Sequence, residues 1–208
     1  MQKAMIGISA AVVVFAVAAA LWLGLREGPE PTSGPMAVNV AGSEIGGPFT
    51  LVNSEGETVT SDDIIDGPTL VYFGYTFCPD VCPVDAAEMA EATDMLAEQG
   101  IEVTPVFITV DPERDTPEQV GWFADALHPE MIGLTGSPEQ VRAAADAYKV
   151  YFSRVETPES AAEYLMNHTN FTYFMMPDGI AALMRGDARP ADIVTEVERV
   201  MAARGLAG

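Results

Sequence analysis

Cysteine is nearly absent from this chain: it has two in 208 residues, Cys78 and Cys82. A disulfide framework links distant segments, so two cysteines four positions apart do not supply one. Metal binding or redox chemistry is the better inference. Histidine is equally scarce, with His128 and His168 alone. Positive charge is thin as well, ten Lys and Arg against 31 Asp and Glu, giving a formal net charge of −21. That balance argues against nucleic acid or an anionic membrane surface as a binding partner. The acids are scattered rather than blocked, which reads as a solvated surface or as steering toward a basic partner face. The length allows one ordinary domain plus extras.

What the chain does have is a dense stretch from Val71 to Pro83, Val-Tyr-Phe-Gly-Tyr-Thr-Phe-Cys-Pro-Asp-Val-Cys-Pro. Its first half is β-branched and aromatic and predicts a buried strand. Pro79 and Pro83 each push the preceding cysteine out of the α region. Pro83 suits the first position of a helix over Val84 to Gln99. The expected motif is strand, tight turn and helix, with Cys82 close to the N-cap. A thiolate there sits at the positive end of the helix dipole and has a lowered pKa. Met89, Ala92, Met95 and Leu96 form that helix's core stripe, and methionines at this spacing are core filler rather than copper ligands.

Ala4 to Leu25 carries no charge and is long enough to cross a bilayer as a helix. A cleaved signal peptide is the rival reading, with Ala18-Ala-Ala20 as its cleavage site. The apolar run continues through Leu25, longer than a usual signal core, which favours an uncleaved anchor. Lys3 before the span puts the N-terminus in the cytoplasm or matrix and the domain outside. The division expected is an anchor over 1–25, a Pro-, Gly- and Ser-rich linker over 26–45 and a folded domain over 46–208.

Inside that domain, Pro48 to Val52 and Thr58 to Thr60 flank Asn53-Ser-Glu-Gly56 as a hairpin. Ile101 to Val110 is a second buried strand, parallel to the first across a helical crossover. Pro105 is awkward within it and suggests a start at Val106. Thr116 and Ser137 each open a helix, with Pro at the first position and Gln at the third. Met131 to Thr135 reads as a short strand and Tyr148 to Phe152 as an extended piece. Phe171 to Met176, Pro177-Asp-Gly179 and Ile180 to Met184 form a hairpin, and Pro190 to Arg204 a closing helix. Two βα units, then an antiparallel hairpin and a helix, describe an α/β fold: a thioredoxin-like three-layer sandwich behind an N-terminal transmembrane helix.

Two thiolates suit Cu(I) but leave a metal site underfilled. His128, at a helix end, reads as a surface residue. His168, in Asn-His-Thr-Asn just before a strand near the sheet centre, is the candidate third ligand, because strand ends converge on one sheet edge. A hydrogen-bonded structural histidine is the plain alternative. Asp111-Pro-Glu-Arg-Asp-Thr-Pro117 ends the second strand on the cysteine side. It reads as loop and cap chemistry, with Arg114 pairing Asp111 or Asp115, or as support for the cysteine loop.

Three segments together, Phe73 to Pro83, Asp111 to Pro117, and His168 with Tyr173 and Pro177-Asp-Gly179, resemble the Sco/SenC copper chaperones of cytochrome oxidase assembly. The resemblance spans roughly Gly46 to Arg204. It implies a thioredoxin fold in which Cys78, Cys82 and His168 bind one copper ion, as Cu(I) or Cu(II). It implies delivery of copper to, or reduction of cysteines in, the binuclear copper-A site of cytochrome c oxidase subunit II. Implied partners are that subunit and other copper carriers or thiol reductases. The implied location is the inner membrane, single pass, with the domain in the periplasm or the mitochondrial intermembrane space. Asn167 stands where the family usually has Asp, and Thr169 where it usually has Ser; neither change removes a ligand.

The competing function is a thiol–disulfide oxidoreductase with Cys78 and Cys82 as its redox pair. Thioredoxins place two residues between their cysteines and a cis-proline before the next strand. Here three residues intervene, and His168-Thr169 falls where the proline would. A tight turn still lets the two sulfurs meet, so copper loading and disulfide formation can alternate in one cycle. A peroxiredoxin wants Thr three positions before its reactive cysteine, whereas Thr76 precedes Cys78 by two. A bridge between the two cysteines with no further role is the remaining reading.

Overall fold

The computed structural model describes residues 36–157 and 163–206. The expected anchor and the first part of the expected linker lie outside the described residues. Among the described residues, no helix is long and apolar enough to cross a membrane. In chain order the strands are β1 (Ala37–Asn39), β2 (Thr50–Asn53), β3 (Thr58–Thr60), β4 (Thr69–Gly74), β5 (Thr104–Thr109), β6 (Ile132–Thr135), β7 (Phe152–Glu156), β8 (Tyr164–His168), β9 (Phe171–Met176) and β10 (Gly179–Arg185). The helices are α1 (Ser61–Ile64), α2 (Val81–Ala97), α3 (Pro117–Leu127), α4 (Pro138–Ala147) and α5 (Pro190–Ala203).

All six residues of β4 are buried, as a strand covered on both faces demands. It pairs in parallel with β5 and antiparallel with β9, and the sheet runs β1-β10-β9-β4-β5-β6-β2-β3. The side chains of β4 alternate between two helical layers. On one face Tyr72 stacks on Phe107, which meets Phe123 of α3, and the Tyr72 hydroxyl reaches Asp85 of α2. Helix α5 packs along α2 on this side. On the other face Phe73 and Tyr173 pack against Tyr148 at the end of α4. A βαβ unit joined to a ββα unit through β4 and β9, with helices on both faces, is a thioredoxin-like α/β sandwich.

Local chemistry explains most element ends. Asn53 Oδ1 accepts from the N–H groups of Glu55 and Glu57 and closes the β2–β3 hairpin. Thr116 and Ser137 accept from the Gln119 and Gln140 N–H groups, as their spacing predicts. Gly100, at φ +78°, ends the stretch after α2 in the left-handed conformation that glycine permits.

Several boundaries differ from expectation. Helix α2 begins at Val81, two residues before the expected first position at Pro83, with Cys82 second and Pro83 third in the helix. A proline in the first turn forfeits no intrahelical bond, because the N–H groups there have no partner. Strand β5 begins at Thr104 and includes Pro105. The β6 ladder starts only at Val106, so the missing N–H breaks nothing. Tyr148 caps α4 and Lys149 takes φ +58°, so the extended segment begins at Phe152. Ala37–Asn39, within the stretch expected to be linker, pairs with β10 as an edge strand. His128 is buried rather than exposed. Its Nδ1 accepts from Glu130 N–H, so Nε2 donates to Asp94 of α2 at 3.2 Å. That contact ties α3 to α2.

Candidate metal centre

Strand β4 delivers the cysteine loop, and its last residue must be glycine. A Cβ on Gly74 would stand 2.8 Å from Tyr72, 3.0 Å from Phe107 and 3.3 Å from the Cβ of Cys82. The loop turns where Cys78 N–H donates to the Tyr75 carbonyl, and α2 follows. Cys78 is half-buried and Cys82 fully buried, and both are free thiols.

The two sulfurs are unequal. Cys78 Sγ accepts from the Cys82 N–H in the first turn of α2, at 3.5 Å. The Cys82 thiol above all, then the Asp80 and Cys82 backbone and Tyr75, hold Cys78 at about 5 against the effect of burial. Its hydrogen bond to Cys78, then burial, pushes the Cys82 thiol up. The low pKa expected for Cys82 therefore belongs to Cys78. Cys82 turns inward as the donor, while Cys78 receives the helix N–H.

His168 ends β8 and reaches the cysteines from across the cleft. Its Nε2 lies 3.2 Å from Cys82 Sγ, and its Nδ1 lies 3.0 Å from the Thr169 carbonyl oxygen. A carbonyl only accepts, so Nδ1 carries the proton and Nε2 keeps its lone pair toward the sulfur. The ring stands edge-on to Tyr72 and Tyr75, which fixes its plane. Among the described residues, no three His, Cys, Asp or Glu side chains form a ready-made ligand cage. The cluster is instead drawn together around the Cys82 sulfur, whose single proton can go to Cys78 Sγ or to His168 Nε2. Two soft sulfurs and one imidazole lone pair fit a copper ion in place of that proton.

The Asp111–Pro117 segment supports the loop. Asp115 is fully buried and accepts from Thr76 N–H at 2.9 Å, the Thr76 hydroxyl at 2.7 Å and the Thr109 hydroxyl at 2.6 Å. Burial pushes its carboxyl up, against those hydrogen bonds. Arg114 pairs with Asp111 at 2.6 Å and donates to the Tyr164 carbonyl. Its guanidinium lies 3.6 Å over the Tyr164 ring and 5.0 Å from that of Phe77. Tyr164 in turn donates to Asp111. One arginine thus bridges the cysteine loop and β8. The hydroxyl of Thr169 accepts from Tyr151 N–H, whereas Asn167 is exposed.

Sequence reasoning missed Tyr72, Tyr75 and Asp85. Asp85 is buried, accepts from the Tyr72 hydroxyl at 3.0 Å and is pushed up by burial. Its position three residues after Cys82, one turn along α2, was the available signal.

Fold and site together define a thioredoxin-like protein with a dithiol facing an imidazole. The family model described as SCO1/SenC matches residues 38–202, and the chain belongs to that family. Protein SenC of Rhodobacter capsulatus is 45% identical over 190 residues, covering 91% of this chain and 85% of that one. The copper-bound crystal structure of Arabidopsis thaliana ScoI superposes with a TM-score of 0.73 at 37% identity, covering 76% of this chain and 99% of that one. BsSco, a member of the Sco family of cytochrome c oxidase assembly proteins in which a disulfide switch was identified, gives a TM-score of 0.57 at 27% identity, covering 82% of this chain and 98% of that one.

Proposed function

We propose that this chain is a membrane-anchored copper metallochaperone that binds one copper ion through Cys78, Cys82 and His168. Its acceptor is the binuclear copper-A site of cytochrome c oxidase subunit II, which it loads with copper or whose cysteines it reduces. The observation that carries this reading is His168 Nε2, held with its lone pair 3.2 Å from Cys82 Sγ. A protein that only exchanged thiols would not need an imidazole oriented in this way. Copper-bound Arabidopsis thaliana ScoI supports the metal, and the family of BsSco supports the assembly role. Three ligands shield the ion and leave it open to exchange. Cu(I) titration of the reduced protein beside its Cys78→Ala variant tests the reading: one tight equivalent is expected, and lost in the variant. A reporter fused after Gly208 tests the anchor and should be active outside the cytoplasmic membrane.

A second reading, thiol–disulfide exchange by the same pair, is favoured by one observation. The sulfurs are hydrogen-bonded to each other, with Cys78 the ready nucleophile. Reduction of subunit II cysteines would use this chemistry, forming a Cys78–Cys82 disulfide as the partner gains two electrons and two protons.

A further inference from the structure

Met166 lines the ≈370 Å³ cleft that also holds Cys78 and His168, and it equally lines the ≈400 Å³ cavity behind β8. Side chains two apart on a strand share a face, so Tyr164, Met166 and His168 share one face of β8. Both outer members point into the body of the protein. Tyr164 lies under Arg114 with its hydroxyl on Asp111, and His168 meets Cys82. Met166, between them, faces the same way, about 7 Å along the strand from His168. Its backbone is hydrogen-bonded to the Tyr75 hydroxyl, while its side chain is half-buried. An unbranched side chain with three rotatable bonds can bring its sulfur across that gap. A thioether is soft and neutral, a ligand that suits Cu(I) better than Cu(II), to which it binds only weakly.

We propose that Met166 is a fourth copper ligand selective for oxidation state: its Sδ closes onto Cu(I) held by Cys78, Cys82 and His168, and binds Cu(II) only weakly. The inference rests on the copper reading above. One Sδ–Cu bond forms, none breaks, no electron moves and no proton is released. The contribution of Met166 is therefore independent of pH, unlike that of either cysteine. Its role is to hold the reduced ion more tightly than the three-ligand set alone, so that this chain favours cargo in the Cu(I) state.

The test uses the full chain and its Met166→Leu variant, which keeps size and apolarity and loses the sulfur. X-ray absorption of the Cu(I)-loaded protein should find three sulfurs and one nitrogen, and two sulfurs and one nitrogen in the variant. Competition titration should show Cu(I) affinity falling about tenfold, with the Cu(II) absorption spectrum nearly unchanged. Methionine methyl NMR gives a check that needs no variant: the Met166 methyl resonance should shift on addition of diamagnetic Cu(I). Two sulfurs in the unmodified chain, an unmoved methyl, or equal weakening of both oxidation states would overturn the proposal and leave the copper reading standing. Failure of the unmodified chain to take copper at all would sink both.

Discussion

His168 presents Nε2 to Cys82 Sγ at 3.2 Å because its other nitrogen is committed to the Thr169 carbonyl at 3.0 Å. The backbone of the next residue thus selects the tautomer. The imidazole comes to the thiols as an acceptor, and an acceptor of a thiol proton is also a donor to a soft metal. On the proposed copper reading, metal and proton compete for one place.

Replacing that acceptor tests the competition. His168→Ala should weaken copper binding by more than the 10- to 100-fold typical of an outer-shell change. Cu(II) should suffer most, since it tolerates two sulfurs poorly without nitrogen. Isothermal titration with each oxidation state, and the thiolate-to-copper absorption of the oxidised complex, measure this. The reduction potential of the cysteine pair should hardly move. Copper affinity that survives in both states would make His168 structural and move the thiol-exchange reading ahead.

The thiols should titrate apart. Alkylation of the reduced, copper-free protein should show one fast equivalent with a half-maximal rate near pH 5, at Cys78, and a second that resists at neutral pH, at Cys82. The stability profile follows. An unfolded thiol titrates near ~8.5, so between about 5 and that value the unfolded chain holds the extra proton at Cys78. Its contribution is full above ~8.5 and lost as pH falls through about 5. Cys82 has the opposite sign: its contribution is full below ~8.5 and lost as pH rises beyond it. Denaturant midpoints across that range, with Cys78→Ala as control, provide the measurement. Two thiols that react alike would contradict the asymmetry.

Much of this was legible in the residues. Apolar β4, the proline-marked cysteine loop, the capped α3 and α4, and the β9–β10 hairpin all carry local signals, and local signals survive tertiary packing. His168 was singled out because two thiolates leave a copper site underfilled, and it does lie against Cys82. The β7–β8 ribbon was not legible, since Phe152–Glu156 is largely exposed and polar and it is held by arginine stacking on Phe152 and Tyr164. Which cysteine is acidic was also hidden. It depends on Cys82 being the second residue of α2, and a two-residue error in the helix start reversed the assignment. His128 looked exposed because its partner Asp94 lies 34 residues away.

Gly74 tests how tightly β4 and Cys82 approach. Gly74→Ala places a methyl 2.8 Å from the Tyr72 ring and 3.0 Å from that of Phe107, both in a fully buried layer. Overpacking of this kind costs about 1–3 kcal/mol. Urea unfolding should show a lower midpoint at unchanged slope. An unchanged midpoint would mean the aromatic rings yield freely.

Asp115 tests whether the cysteine loop is held from beneath. Its carboxylate takes three hydrogen bonds, two of them from Thr76, two residues before Cys78. Asp115→Ala removes both acceptor oxygens and leaves the Thr76 N–H and the Thr76 and Thr109 hydroxyls facing a void. Leaving a buried donor without an acceptor costs about 1–3 kcal/mol, and denaturant unfolding should register it. A general loss of stability would not by itself implicate the loop, so the second readout is the alkylation profile. If Thr76 positions Cys78 against the first turn of α2, releasing it should move the half-maximal rate up from near pH 5 toward the ordinary thiol range, with His128 and the α2–α3 contact as an unaffected control. A variant that unfolds earlier yet keeps the acidic Cys78 would reduce Asp115 to a residue of the β5 core and leave the loop to hold itself.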